Sequence, residues 1–257
     1  MKRVLTPLGC SVALLVTACG APPRASAVPA AVSAKTAERA PDEVTLQPLA
    51  PGVWVHITWN TVPKFGLVAS NGVLACGPGG GLLVDTAWND AQTARLLDLA
   101  AARGCTVHAL VVTHFHDDRM GGIAEVLRRG IPTYASPETV KRAHLAGWSP
   151  KLVGAPDAVE VAGVQAEVFF PGAGHAPDNV VVWLPTSRVL FGGCMIRAAA
   201  ADALGNLSDA DVAAWPGSVG KLKERYGQAS HVVPGHGAAG GPDLLDHTID
   251  LARRGPK

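Results

Sequence analysis

One segment constrains this chain more than any other: Thr113-His114-Phe115-His116-Asp117-Asp118-Arg119. It follows directly on Ala109-Leu110-Val111-Val112, an apolar run of the kind that forms a buried strand. A strand ending there can deliver two imidazoles, His114 and His116, and the Asp118 carboxylate into one space. Borderline-soft divalent metals, zinc above all, are held by such groups. Three further candidate ligands follow, each beside glycine: His175 after Gly174, Cys194 after Gly192-Gly193, and His236 between Gly235 and Gly237. Together these six residues make a full ligand set for two zinc ions, and paired zinc means hydrolysis. A single loop histidine is more often hydrogen-bonded than ligating, and His56, His108, His144 and His231 are read that way.

The rest of the chain can bury such a site. Of 257 residues, 48% are apolar and only 17% charged, which suits a compact domain with a large core. Lysine and arginine number 22 against 21 acidic residues, with no basic tract, so nucleic acid is not an expected partner. A monomer is expected, because no self-complementary apolar patch stands out.

The N-terminus reads as a targeting segment. Lys2 and Arg3 precede a short apolar stretch through Val16, and Val16-Thr17-Ala18-Cys19 has the form of a bacterial lipobox. Residues 1–18 are expected to be a signal peptide, with Cys19 acylated; ordinary cleavage near Ala18, or in the Ala-rich stretch to about Ala34, is the alternative. Either way the address is extracytoplasmic: the periplasm, with Gly20 after the cysteine permitting an outer-membrane anchor by resemblance to Gram-negative lipoproteins. Residues 19–43, rich in Ala, Pro and Ser, read as a flexible tether. Cys76 and Cys105 could pair; the expectation is that both stay buried and free.

From Val44 onward short apolar strands alternate with turn signals. Strands are expected at 53–58, 67–70, 73–76, 82–85 and 110–113, with a hairpin turn at Asn71-Gly72. Helices are expected at 89–103 and 123–129. Strands at 158–161, 164–170, 180–184, 189–191 and 231–233 follow, with helices at 210–225 and 243–253. Two mixed sheets packed face to face with helices outside, an αββα sandwich, would bury all of this in one domain spanning 44–257.

The motifs, taken as a set, resemble those of class B metallo-beta-lactamases of the di-zinc subclass with a cysteine ligand. The matching pieces are His114 to Gly122, Gly174-His175-Ala176-Pro177-Asp178-Asn179, Gly192-Gly193-Cys194, Leu204-Gly205-Asn206-Leu207 and Pro234-Gly235-His236-Gly237. They occur in family order. The resemblance implies that His114, His116 and His175 hold one zinc and that Asp118, Cys194 and His236 hold the other. It implies hydrolysis of penicillins, cephalosporins and carbapenems, and hence antibiotic resistance. A thiolester or lactone hydrolase resembling the glyoxalase II group is the alternative. Those relatives usually place a histidine after the aspartate and an aspartate at the cysteine, where this chain has Arg119 and Cys194. A non-catalytic metal-binding lipoprotein is a third reading, which does not call for Arg119, Arg197 or Asn206.

The same resemblance assigns supporting roles. Beside a metal-bound Asp118, Arg119 would orient that carboxylate, the alternative being a surface charge; Asp85 would support the same loop or cap a buried strand end. Arg197, three residues after Cys194, would grip a substrate carboxylate. Asn206 would donate to the developing oxyanion, the alternative being a turn asparagine in Leu204-Gly205-Asn206-Leu207. The segment from Trp59 to Gly66 would form a flap, with Phe65 and Val62 covering the substrate and Trp88 forming part of the wall; core packing is the alternative for Trp88 and Trp59. His247 is expected in the core, with a supporting role possible.

Overall fold

The computed structural model describes residues 43–145, 152–154 and 157–255. The expected signal peptide, Cys19 and nearly all of the tether lie outside the described residues. Two sheets form the centre. The first has seven strands in chain order: β1 (Val44–Ala50), β2 (Val53–Val62), β3 (Gly66–Gly77), β4 (Gly80–Val84), β5 (Val107–Val111), β6 (Thr133–Ala135) and β7 (Leu152–Gly154). Its first four strands pair antiparallel, and β4 to β7 pair in parallel through helical crossovers. The second sheet runs β12 (His231–Pro234), β11 (Val189–Gly193), β10 (Val181–Leu184), β9 (Val164–Phe169) and β8 (Ala158–Val161), with only β11 and β12 parallel. The helices are α1 (Asp90–Ala101), α2 (Asp117–Met120), α3 (Ile123–Arg128), α4 (Pro137–Leu145), α5 (Trp215–Tyr226) and α6 (Asp243–Arg254). Among the described residues no helix is long and apolar enough to cross a membrane.

Strand alternation divides the core into three layers. Val73, Ala75, Leu82 and Val84 of the first sheet meet Val168, Val182, Leu184 and Phe191 of the second. Their neighbours Leu74 and Leu83 face outward onto Leu96, Leu97 and Ala100 of α1 and Val126 of α3. Trp183 and Leu190 face outward onto Val219 and Leu222 of α5 and Leu245 of α6. This is the expected αββα sandwich.

Four expectations need correction. Asn71-Gly72 is not a turn, because β3 runs unbroken through it and pairs with β2 from Val53↔Ala75 to Val62↔Gly66. The two residues serve close approach instead. Asn71 Nδ2 donates to the carbonyls of Pro234 (2.9 Å) and Gly237 (2.7 Å), and a Cβ at Gly72 would lie 2.0 Å from the His56 ring. The helix expected from Ala210 begins at Trp215, since Pro216 has no N–H to give and belongs in a first turn. Cys76 and Cys105 form a disulfide that ties the end of β3 to the entry of β5. His247 is only partly buried, and its Nε2 lies 2.9 Å from Ala201 O. The strands β6 and β7 and helix α4 were not expected, being too short or too weakly patterned to read.

Candidate metal centre

The six candidate ligands come from four chain segments that end on one edge of the sandwich. β5 lies buried between two parallel neighbours, and the chain leaving it carries His114 and His116 just before the first turn of α2. His175 lies on the turn between β9 and β10, Cys194 follows β11, and His236 follows β12. Gly235 is required for that last approach: a Cβ there would meet Cys194 Sγ at 2.6 Å and Arg119 Nη2 at 2.7 Å.

His114, His116 and His175 form one compact group. Their ring centroids are 4.8 to 5.0 Å apart, and His116 Nδ1 faces His175 Nε2 at 3.1 Å. His114 Nε2 and His175 Nδ1 are buried and have no hydrogen-bond partner. Burial lowers the His114 pKa to about 3, which keeps its imidazole neutral with a lone pair available. His116 Nε2, on the far side of its ring, lies 3.0 Å from Asp209 Oδ2.

Asp118, Cys194 and His236 form a second group beside the first. Asp118 Oδ2 is 3.5 Å from Cys194 Sγ and 3.3 Å from His236 Nε2, and Sγ is 3.4 Å from that Nε2. Burial alone would raise the Asp118 and Cys194 pKa values. The Arg119 guanidinium overturns this and holds both well below their ordinary ranges, so carboxylate and thiolate are the stable forms. Burial would lower the His236 pKa, but the Cys194 and Asp118 charges raise it to about 10. His236 Nδ1 is fixed by Ala69 O at 2.7 Å, and Ser70 Oγ donates to Asp118 O at 3.1 Å.

Arg119 lies wholly buried beneath this group. Its Nη2 reaches Asp118 Oδ2 (2.7 Å), Cys194 Sγ (3.0 Å) and Gly235 O (3.0 Å), while Nη1 donates to Asn71 O. Asp85, in a left-handed backbone conformation (φ 62°), lies 3.4 Å from Nη1. Its carboxylate also accepts from Thr113 N (2.7 Å) and Thr113 Oγ1 (2.8 Å), and Oγ1 lies 3.2 Å from His114 Nδ1. A continuous chain of polar contacts therefore joins both groups from below.

Above them opens a cavity of about 520 Å³. Val62, Phe65, Trp88, Arg197 and Asn206 all line it, together with His116, Asp118, His175 and His236. Phe65 is 56% exposed at the tip of the β2–β3 hairpin and lines the opening with Val62, whereas Trp59 at the start of the expected flap is buried. Trp88 is held by Nε1 donating to Thr58 O at 3.3 Å. Asn206 Oδ1 accepts from Ser208 N at 3.2 Å, which leaves its amide N–H₂ as the end able to reach a ligand.

The sequence pattern of the metallo-beta-lactamase superfamily matches residues 65–236. The chain belongs to this superfamily. It is 37% identical over 232 residues to the type 2 metallo-beta-lactamase of Bacteroides fragilis, covering 88% of this chain and 92% of that one. With the type 2 enzyme of Pseudomonas aeruginosa it shares 35% over 216 residues, covering 84% and 87%. The structure of a metallo-beta-lactamase from Pontibacter korlensis superposes with a TM-score of 0.79 at 37% identity, over 82% of this chain and 99% of that one. The FIM-1 metallo-beta-lactamase from Pseudomonas aeruginosa, in a mono-zinc form, superposes with a TM-score of 0.75 at 35% identity, over 82% and 95%.

Metallo-beta-lactamase membership implies zinc, and the donors present suit that ion. They are imidazoles, two of which (His114 and His175) carry an unpartnered buried nitrogen, with a thiolate and a carboxylate, and the ligating atoms of His114, His116 and His175, and of His114, Asp118 and Cys194, lie within 4.8 Å of one another. Sequence reading missed Thr113 and Asp209, which touch the His114 and His116 imidazoles, and Asp178, which accepts from the Phe115 N–H between them. Asp178 stands inside a quoted motif and Asp209 three residues after Asn206, but neither spacing shows what its carboxylate touches.

Proposed function

We propose that this chain hydrolyses the amide bond of β-lactams (penicillins, cephalosporins and carbapenems) and so confers resistance to them. One observation carries the reading: members of both ligand groups, a half-buried cation and an amide donor line one cavity with an apolar hairpin tip beside it. His114, His116 and His175 would hold one zinc, and Asp118, Cys194 and His236 the other. When bound, zinc polarises a carbonyl and brings the pKa of its water near neutrality. Arg197 supplies a guanidinium for the substrate carboxylate. Its stem is packed so that the head lies against Gly205, and burial lowers its pKa. Asn206 donates from its amide N–H₂ to the oxygen on which charge develops, a contact worth roughly 3 kcal/mol in a dry site. Phe65, Val62 and Trp88 exclude water over the scissile bond.

We also propose export to the periplasm, with cleavage before Cys19 and its acylation; the Cys76–Cys105 disulfide supports an oxidising compartment. Metabolic labelling with a fatty acid, lost in Cys19→Ser, tests the anchor.

The deciding experiment follows β-lactam ring absorbance with the zinc-loaded domain, with and without a chelator. Turnover abolished by chelation supports the proposal. No turnover of any penicillin, cephalosporin or carbapenem, with hydrolysis of a thiolester in its place, overturns it.

A further inference from the structure

Asp178 is a buried carboxylate (1% exposed) on the turn three residues after His175. Only one of its oxygens is used. Oδ2 accepts from Phe115 N at 3.0 Å and from Thr139 Oγ1 of α4 at 2.8 Å. Oδ1 is buried with no hydrogen-bond partner. Of the nearby cations, Lys141, which lines an outer cavity with Asp178 and Glu138, pairs with Glu138 at 3.7 Å, and Arg142, over the Phe115 ring, pairs with the same carboxylate at 3.0 Å. Burial raises the Asp178 pKa, and the largest opposing influences are its hydrogen bonds and His116. A carboxylate taken from water without a paired cation is costly. Both hydrogen bonds end on a single oxygen, so the amide of an asparagine could accept them equally well. What aspartate adds is charge.

That charge has an evident counterpart. His114, His116 and His175 are neutral ligands, so a dication among them keeps its full charge, whereas the other group brings a carboxylate and a thiolate of its own. Asp209 also faces His116, but its side chain is 34% exposed and solvent screens it. Asp178 is only 1% exposed, and the field of a buried charge is screened less.

We propose that Asp178 is a positioning residue for the metal held by the three imidazoles. Its hydrogen bond fixes the Phe115 peptide between two of them, and its buried negative charge tightens that position selectively over the cysteine-containing one. The inference rests on reading these imidazoles as a metal site.

The test is titration of the metal-stripped full chain with cobalt(II), which needs no turnover. A near-ultraviolet thiolate-to-cobalt band reports the Cys194 position, and visible d–d bands report the imidazole position. Asp178→Asn should raise the dissociation constant at the imidazoles by roughly tenfold to a hundredfold, the range typical of partners just outside a ligand set. The thiolate band should titrate within about threefold of wild type. Thr139→Val, which removes one hydrogen bond and keeps the charge, should also stay within about threefold at both positions. Asp178→Ser is a second neutral variant should the amide not fit. Unchanged affinity at the imidazoles, equal weakening of both positions, or a Thr139→Val effect as large as that of Asp178→Asn overturns the proposal. A wild-type chain that takes up no cobalt at the imidazoles sinks the metal-site reading itself, and this inference with it.

Discussion

Arg119 Nη2 lies 2.7 Å from Oδ2 of Asp118, its neighbour in the chain, with the guanidinium wholly buried. The same nitrogen reaches Cys194 Sγ at 3.0 Å and Gly235 O at 3.0 Å. One cation thus holds two anionic candidate ligands and the loop that carries a third. Arg119→Ala leaves Asp118 and the Cys194 thiolate buried without their counter-charge, and stability should fall by roughly 3 to 5 kcal/mol. Arg119→Lys should rescue little, because a point charge cannot serve so many acceptors. Denaturant unfolding of the metal-stripped variants checks both, and a wild-type midpoint for Arg119→Ala would show that the pair contributes nothing.

Cys194→Ser tests the division of ligands. It keeps a small polar group but removes the thiolate that Arg119 stabilises. Zinc content should fall by half, and β-lactam turnover by orders of magnitude. Atomic absorption of the purified variant measures the first and ring absorbance the second. Near-normal values of both would move the second metal elsewhere.

The legible part of this site is the part written in local pattern. An apolar strand followed by His-x-His-x-Asp fixes its own geometry, because the strand end decides where the side chains go. The αββα architecture was legible for the same reason, as alternation at 73–75 and 82–84 assigns each residue to a layer. What could not be read depends on partners far along the chain. Asp85 meets Thr113 28 residues away, and Asp209 meets His116 across 93. Asn71-Gly72 misled because those residues favour turns and also favour close packing, and only the fold decides between the two. The pairing of Cys76 with Cys105 is likewise a matter of distance, and spacing does not encode it.

Arg197 is accessible to the cavity yet mostly packed, with no ion pair to a described carboxylate. Its proposed task is to bind the substrate carboxylate equally in the ground and transition states. Arg197→Ala should therefore raise KM about tenfold or more while leaving kcat within a few-fold. Steady-state kinetics with one penicillin and one carbapenem separate the two parameters. A fall in kcat alone would assign the residue to the chemical step.

The Cys76–Cys105 disulfide closes a segment with a sequence separation of 29 that contains β4 and α1. Constraining a loop of that size in the unfolded chain stabilises by roughly 3 to 4 kcal/mol. Cys76→Ser with Cys105→Ser should lower the midpoint of thermal unfolding by about 2 to 4 °C for each kcal/mol lost, with turnover at 25 °C little changed. Scanning calorimetry decides the matter, and reductant should shift the wild type while leaving the double variant unmoved.

His56 should make the fold sensitive to mild acid. Its ring is buried, Nε2 lies 3.2 Å from Val84 O and 3.1 Å from Asp85 O, and Nδ1 has no partner. Nε2 therefore carries the proton in the neutral ring, and a second proton on Nδ1 would meet no acceptor. Burial lowers its pKa to about 4, below the ordinary 6.5. Between these values the unfolded chain binds more protons than the folded one, so stability is fully present above about pH 6.5. It falls as pH drops toward 4, by up to about 1.4 kcal/mol per pH unit. Burial lowers the His114 pKa as well, so the contribution of His56 is read as a difference from His56→Gln, whose amide can donate to the same carbonyls. Denaturant midpoints at pH 7.5 and pH 5, with zinc in excess, should show a shallower acid loss in the variant. Parallel profiles for the two proteins would mean that His56 is charged in the fold or exchanges with solvent.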